Sequence, residues 1–194
     1  MNYLLSALLL LSTYNVPSIR QAALYGLGIF IKKSPNELYE MFSSKIYPKL
    51  KEAITSYTNK KRDEGLAYDN AVASIGKGIG YKNFIDKEYI QLWLSNLPIK
   101  YDSTEKREQN EILSSFILQN KYTNLIDSNQ LTMIIIILVN VYGTHDQSSA
   151  TINKMILEIF KKAKEENVLR GAIDTVYNSN ESIKKKMEEM IAKA

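Results

Sequence analysis

The strongest constraint on this chain is a self-match across 50 residues. Arg20-Gln21-Ala22-Ala23-Leu24-Tyr25-Gly26-Leu27-Gly28-Ile29 lies over Asn70-Ala71-Val72-Ala73-Ser74-Ile75-Gly76-Lys77-Gly78-Ile79, with identities at Ala23/Ala73, Gly26/Gly76, Gly28/Gly78 and Ile29/Ile79. The same register returns more weakly at Asn110-Glu111-Ile112-Leu113-Ser114-Ser115-Phe116, 40 residues on, and at Asn153-Lys154-Met155-Ile156-Leu157-Glu158-Ile159, after a further 43. Two-helix repeats with a period of ~40–47 residues are the pattern of HEAT-type solenoids. The fold class expected is therefore all-α, an α-α superhelix of about four helical hairpins plus a short terminal pair. The repeats expected are 1–33, 34–82, 83–121, 122–166 and 167–194 of one domain.

Start and stop signals place the helices. Asn15 and Ser18 read as turn and cap formers around Pro17, which suits a first helical turn because its missing N–H costs nothing there. A helix follows to about Lys32, and its Ala22, Ala23, Gly26 and Gly28 leave room for a neighbouring helix. Ser34-Pro35-Asn36-Glu37 and Asp102-Ser103-Thr104-Glu105 read as capping boxes. Pro48 is expected to kink or restart its helix. Thr58 to Asp63 reads as a polar connector. Further helices are expected over 64–80, 86–96, 103–120, 127–142, 147–164, 168–177 and 181–192. The run Ile134-Ile135-Ile136-Ile137-Leu138-Val139 favours a strand by its β-branched content. It has no second strand candidate to pair with, so it is assigned to a helix buried on several sides.

Composition narrows the function. The chain has no cysteine and one histidine, His145. That excludes disulfides and thiolate metal sites, and disfavours histidine-based catalysis. A net charge of +4 over 194 residues is too mild to argue for nucleic acid. The runs Lys60-Lys61-Arg62 and Lys184-Lys185-Lys186 read as solvated helix ends. The leucine-rich start, Leu4 to Leu11, lacks a preceding Lys or Arg and a small-x-small cleavage site. It is also shorter than the ~20 residues of a membrane span. It is read as a helix of the fold, in a chain that begins inside something larger.

The register puts Arg20, Asn70, Asn110 and Asn153 at equivalent points of successive second helices. There they are expected to form a structural polar ladder, because buried polar groups must find partners. Gly76-Lys77-Gly78-Ile79-Gly80 lacks the G-x-G-x-x-G spacing and the preceding strand of a phosphate loop. No Ser, His or Cys constellation supports catalysis, so no enzyme and no cofactor or metal is expected.

These residues resemble a known family. Ile19 to Gly28 is similar to a segment of the importin-beta (karyopherin-beta) superfamily, in particular the C-terminal HEAT repeats of its importin-five, or karyopherin-beta-three, branch. Asn70 to Lys77 is similar to the next second helix of that branch. Trp93-Leu94-Ser95-Asn96-Leu97-Pro98-Ile99, followed by Asp102, resembles a distinctive tryptophan-containing first helix. Asn110 and Asn153 match asparagines of later repeats, and Ile183 to Ala194 resembles the last helix. The resemblance spans nearly the whole chain and implies the final repeats of a longer, shuttling nuclear import receptor. It implies protein cargo with basic localisation signals, the Ran GTPase and phenylalanine-glycine nucleoporins as partners, and residence in cytoplasm and nucleus. A HEAT scaffold of a phosphatase or chromosome-organising complex is the alternative.

Within that frame Gln21, Tyr25, Gly28 and Lys32 share one helical face, expected on the concave side. Gln21 and Tyr25, and Tyr68 one repeat on, are candidate partner contacts. Glu64, Glu105 and Glu108 are candidates for an acidic inner wall facing basic cargo or Ran.

Overall fold

The computed structural model describes residues 3–57 and 62–193, with the side chains of all of these except Arg62 and Asp63. Most of the connector from Thr58, with Lys60 and Lys61, therefore lies outside the described residues. Ten helices and no strand occur among those described: α1 (Tyr3–Leu11), α2 (Pro17–Lys33), α3 (Asn36–Thr55), α4 (Arg62–Tyr81), α5 (Lys87–Ser95), α6 (Ser103–Leu118), α7 (Ser128–Val141), α8 (Ala150–Lys162), α9 (Asn167–Tyr177) and α10 (Glu181–Ile191). The described residues are all-α. Among the described residues no helix is long and apolar enough to cross a membrane.

Several helix ends follow from side-chain capping. Asp86 accepts from the backbone N–H groups of Glu88 and Tyr89, and Asp102 from those of Thr104 and Glu105. Asp127 and Gln130 form a reciprocal capping box, and Ser149 and Asn180 cap α8 and α10. These bonds satisfy amides that have no partner inside the helix.

Other starts differ from the sequence expectation. α2 begins at Pro17 after an extended Val16 with no side-chain cap, so Ser18 is already a helical residue. Ser34 does not cap α3. Its backbone N–H donates to Phe30 O at 2.9 Å and closes α2, while its hydroxyl is buried without a partner. α3 also runs through Pro48 without restarting. Pro48 and Ser44 are both exposed, so the carbonyl the proline leaves unbonded faces solvent. The isoleucine run lies within α7, with Ile134, Ile135, Ile137, Leu138 and Val139 all buried.

The chain divides into two compact units, residues 1–109 and 110–194. In the first, α2 and α4 make the most extensive helix–helix contact among the described elements. Leu24, Leu27 and Ile31 of α2 and Val72, Ile75 and Ile79 of α4 are fully buried. Each such side chain contributes about 1.5–3 kcal/mol relative to exposure. Gly28 sets the approach of the two helices, since a Cβ there would lie 2.6 Å from Ser74 Oγ. Gly28 therefore faces α4 and not a concave surface, and Ala22, expected at a helix contact, is exposed. In the second unit α7, α9 and α10 enclose an apolar core that includes Leu131, Ile134, Leu138, Leu169, Val176, Met187 and Met190.

Candidate functional site

The first unit carries a polar seam along α2, α4 and the first turns of α6. At one end the Arg20 guanidinium pairs with the Glu64 carboxylate and donates to Tyr14 O at 2.6 Å. These groups border a cleft of about 430 Å³ whose wall includes Asn15, Tyr57 and Tyr68. The rings of Tyr57 and Tyr68 lie 4.5 Å apart, and the Tyr68 hydroxyl donates to Asn96 Oδ1.

One turn further on, Asn70 Nδ2 donates to Leu66 O at 2.8 Å and to Asp102 Oδ2 at 3.2 Å. Its neighbour Asp69 is buried, and its Oδ2 accepts the backbone N–H groups of Lys100, Tyr101 and Asp102 at 2.5–3.2 Å. Burial pushes the Asp69 carboxyl above its ordinary range, against the opposing pull of those three amides. Ser74 Oγ then donates to Leu24 O at 3.1 Å, which ties α4 to α2.

The centre of the seam is Lys77, 1 % exposed. Its ammonium lies 2.5 Å from Glu105 Oε1 and 3.5 Å from Glu108 Oε2, and 5.5 Å from the Tyr25 ring centre. Glu108 also accepts from Lys32 at 2.6 Å and from the Tyr81 hydroxyl at 2.8 Å. Two ammonium groups thus neutralise two carboxylates across three helices. Burial raises the Glu105 carboxyl, and the charge and hydrogen bond of Lys77 recover only part of that cost. Burial also acts upward on Glu108, but the hydrogen bonds from Lys32 and Tyr81 and the Lys77 charge outweigh it and hold this group low. Beside them the indole N–H of Trp93 donates to Gln109 Oε1 at 2.9 Å, and Gln109 Nε2 donates to Ala73 O. A Cβ on Gly76 would lie 1.8 Å from that Gln109 oxygen and 2.6 Å from Trp93 Nε1, so this packing demands glycine. Gly76, Gly78 and Gly80 all lie inside α4, which is a helix interior and not a phosphate-binding turn.

In the second unit Asn110 Nδ2 donates to Gln147 O at 2.9 Å, and Asn153 Oδ1 accepts from the Gly143 N–H at 3.0 Å. Arg20, Asn70, Asn110 and Asn153 thus sit on α2, α4, α6 and α8. The first three reach α4, the start of α6 and the segment before α8 respectively, while Asn153 reaches back to the segment before its own helix.

The candidate contacts divide. Tyr25 is 45 % exposed, and Gln21, Glu64, Tyr68 and Glu108 are partly exposed. Glu105 needs correction as a partner contact: it is 2 % exposed and committed to Lys77. Its position three residues after the Asp102 cap suggested a surface acid, but that turn of α6 faces inward onto Lys77. Sequence reasoning missed Asp69 and Gln109; it read Lys77 only within the glycine run, and placed Lys32 on a face with Gln21 and Tyr25 without its partner Glu108. One signal was available: Asn70, Ser74, Lys77 and Tyr81 recur at helical spacing on one stripe of an otherwise apolar helix.

The seam brings together groups that neutralise one another and bind backbone, with exposed tyrosines along its rim. No family model matches the chain.

Proposed function

We propose that this chain is a protein-binding segment of a nuclear import receptor, the C-terminal HEAT repeats of an importin-beta relative of the importin-five branch. The observation that carries the reading is the behaviour of one register position. Arg20, Asn70 and Asn110 occupy equivalent points of successive second helices, and each bonds forward in the chain, to Glu64, Asp102 and Gln147 O. A polar side chain that recurs at one register position and binds the segment that follows it suits repeated helical hairpins that serve as a protein-binding scaffold. The tryptophan helix supports the same reading, because Trp93 is fully buried and bonded to the following helix through Gln109.

In this reading the segment serves a receptor that carries cargo with basic localisation signals, binds Ran and phenylalanine-glycine nucleoporins, and shuttles between cytoplasm and nucleus. The segment acts by binding and not by catalysis. Tyr25, Gln21, Tyr68, Glu64 and Glu108 are its candidate contacts. The decisive experiment is a pull-down with the full-length parent protein, using Ran loaded with GTP and nucleoporin repeats as baits. Capture by both is expected, and failure to bind either ends the transport reading.

A further inference from the structure

We propose that Lys82 and Lys162 are two instances of one latch, in which a lysine at the end of a helix closes the carboxyl end of the helix two before it in the chain. The inference does not rest on the transport reading.

The first observation is a pair of contacts, each inside one unit. Lys82 directly follows α4. Its ammonium donates to Ser34 O at 2.5 Å and to Asn36 Oδ1 at 3.2 Å, just past the last turn of α2, and lies 5.8 Å from the Tyr39 ring centre. Lys162 is the last residue of α8. Its ammonium donates to Ile117 O at 3.3 Å, to Leu118 O at 3.0 Å and to Asn120 Oδ1, at the end of α6. Glu166 Oε2 lies 3.6 Å from that ammonium, beyond hydrogen-bond reach.

The second observation is that the two contacts share a register. In each, one lysine binds a carbonyl at a helix end together with the side-chain oxygen of the asparagine two residues on. The lysine stands 48 residues after that carbonyl in the first case and 44 in the second. Both separations are close to the ~40–47 residues of a two-helix repeat. Unrelated surface lysines have no reason to choose the same pair of acceptors one period apart.

The need met at both ends is the same. Carbonyls of a last helical turn lack partners inside the helix and carry the negative end of its dipole. An ammonium supplies both donors and charge there. Neither end has the glycine that often closes a helix: Ser34 is extended, and Asn120 takes the left-handed conformation with φ 55°. The latch is separate from the apolar contact that joins α2 to α4, where Leu24, Leu27, Val72 and Ile75 are fully buried. Removing the charge therefore opens one edge and leaves the unit folded.

Hydrogen exchange on the 194-residue chain reads each latch separately. Lys162→Met should speed exchange of the Gln119 and Lys121 amides, which bond back to Ser115 O and Phe116 O, about 10-fold. Lys82→Met should do the same to the Ser34 amide, bonded to Phe30 O. Lys161→Met, at the exposed neighbour on α8, should change none of these. Asn36→Ala should reproduce part of the Lys82→Met effect. The double variant should exchange no faster than Lys82→Met alone, because both substitutions open one latch. Unchanged exchange in either lysine variant, additive effects of Asn36→Ala and Lys82→Met, or an equal response to Lys161→Met each overturn the proposal. The unaltered chain gives a readout that no variant's folding can cloud. The ammonium protons of Lys82 and Lys162 should exchange slowly enough to give nitrogen-15-edited NMR signals, whereas those of Lys161 should not. Absence of the first two signals also overturns the proposal.

Discussion

The two units bury different things. The first encloses Asp69, Lys77 and Glu105, all at 1–2 % exposure. The buried polar residues described in the second are neutral: Asn110, Ser114 and Ser148. Charged groups taken out of water are tolerable only while their partners remain. The first unit is thus specified by mutual neutralisation, and its stability is conditional on each partner and on pH. The second is specified by apolar volume in α7, α9 and α10, which is indifferent to proton concentration. Two stretches of one helical chain can share secondary structure and still fail in different ways.

The largest expected effect that tests this contrast is Lys77→Met. It leaves Glu105 buried without its cation and should cost about 3–5 kcal/mol in urea unfolding. Adding Glu105→Leu should recover part of that loss, since it removes the orphaned charge. If Lys77→Met proves neutral, the neutralisation account of the first unit is wrong. In the second unit Leu138→Ala should cost about 2–5 kcal/mol through a cavity. That loss should be the same at neutral and acid pH, which the Lys77 variant's should not be.

Gly76→Ala comes next. A gain of about 1 kcal/mol in helix propensity is opposed by collision with Gln109 and Trp93, so the net loss should be about 1–3 kcal/mol. The contrasting substitution is Gly171→Ala in α9, where a Cβ meets nothing within 4 Å. It should stabilise by about 0.5–1 kcal/mol, the smallest effect of the set, visible as a small rise in Tm.

The pH dependence separates the two glutamates. Glu105 is raised above its ordinary value of 4.5 by burial, so its contribution is fully present below that value and fades as pH rises through the raised one. Asp69, also raised by burial, acts in the same direction. Glu108 is held low by Lys32, Tyr81 and Lys77 despite burial, so its contribution is present above 4.5 and fades as pH falls through the lowered value. Urea midpoints measured from neutral to acid pH should therefore bend twice. Glu105→Gln should flatten the slope above 4.5 without abolishing it, and Glu108→Gln should flatten the slope below. A variant that flattens the wrong limb would reverse the assignment.

Much of the fold was legible because helix periodicity and capping are local. Asp102 and Asp127 stand where their carboxylates serve the first amides of α6 and α7. The isoleucine run lacks a strand partner, which points to a helix, and it lies within α7. Ser34 and Pro48 misled for related reasons. Ser34 closes the preceding helix instead of opening the next, and Pro48 faces solvent, where a lost backbone bond is cheap. The site was less legible. Glu105 and Glu108 are three residues apart on one helix, yet only Glu105 turns fully inward. That choice is made by Lys77, 28 residues earlier, and a charge between two glycines in an apolar helix carries no local sign of its partner.

Asp69 adds one more consequence. A single oxygen on α4 gathers three successive amides of the segment leading into α6. That fixes the phase of one helix pair against the next, as a key fixes the angle of a shaft. Sliding the later helix by one turn, about 5.4 Å, would release all three amides together and strand the carboxylate. The start of α6 is thereby held against creep along α4, so lengthening the Asn96–Asp102 connection by one residue should disturb the packing more than lengthening a connection that no buried carboxylate holds.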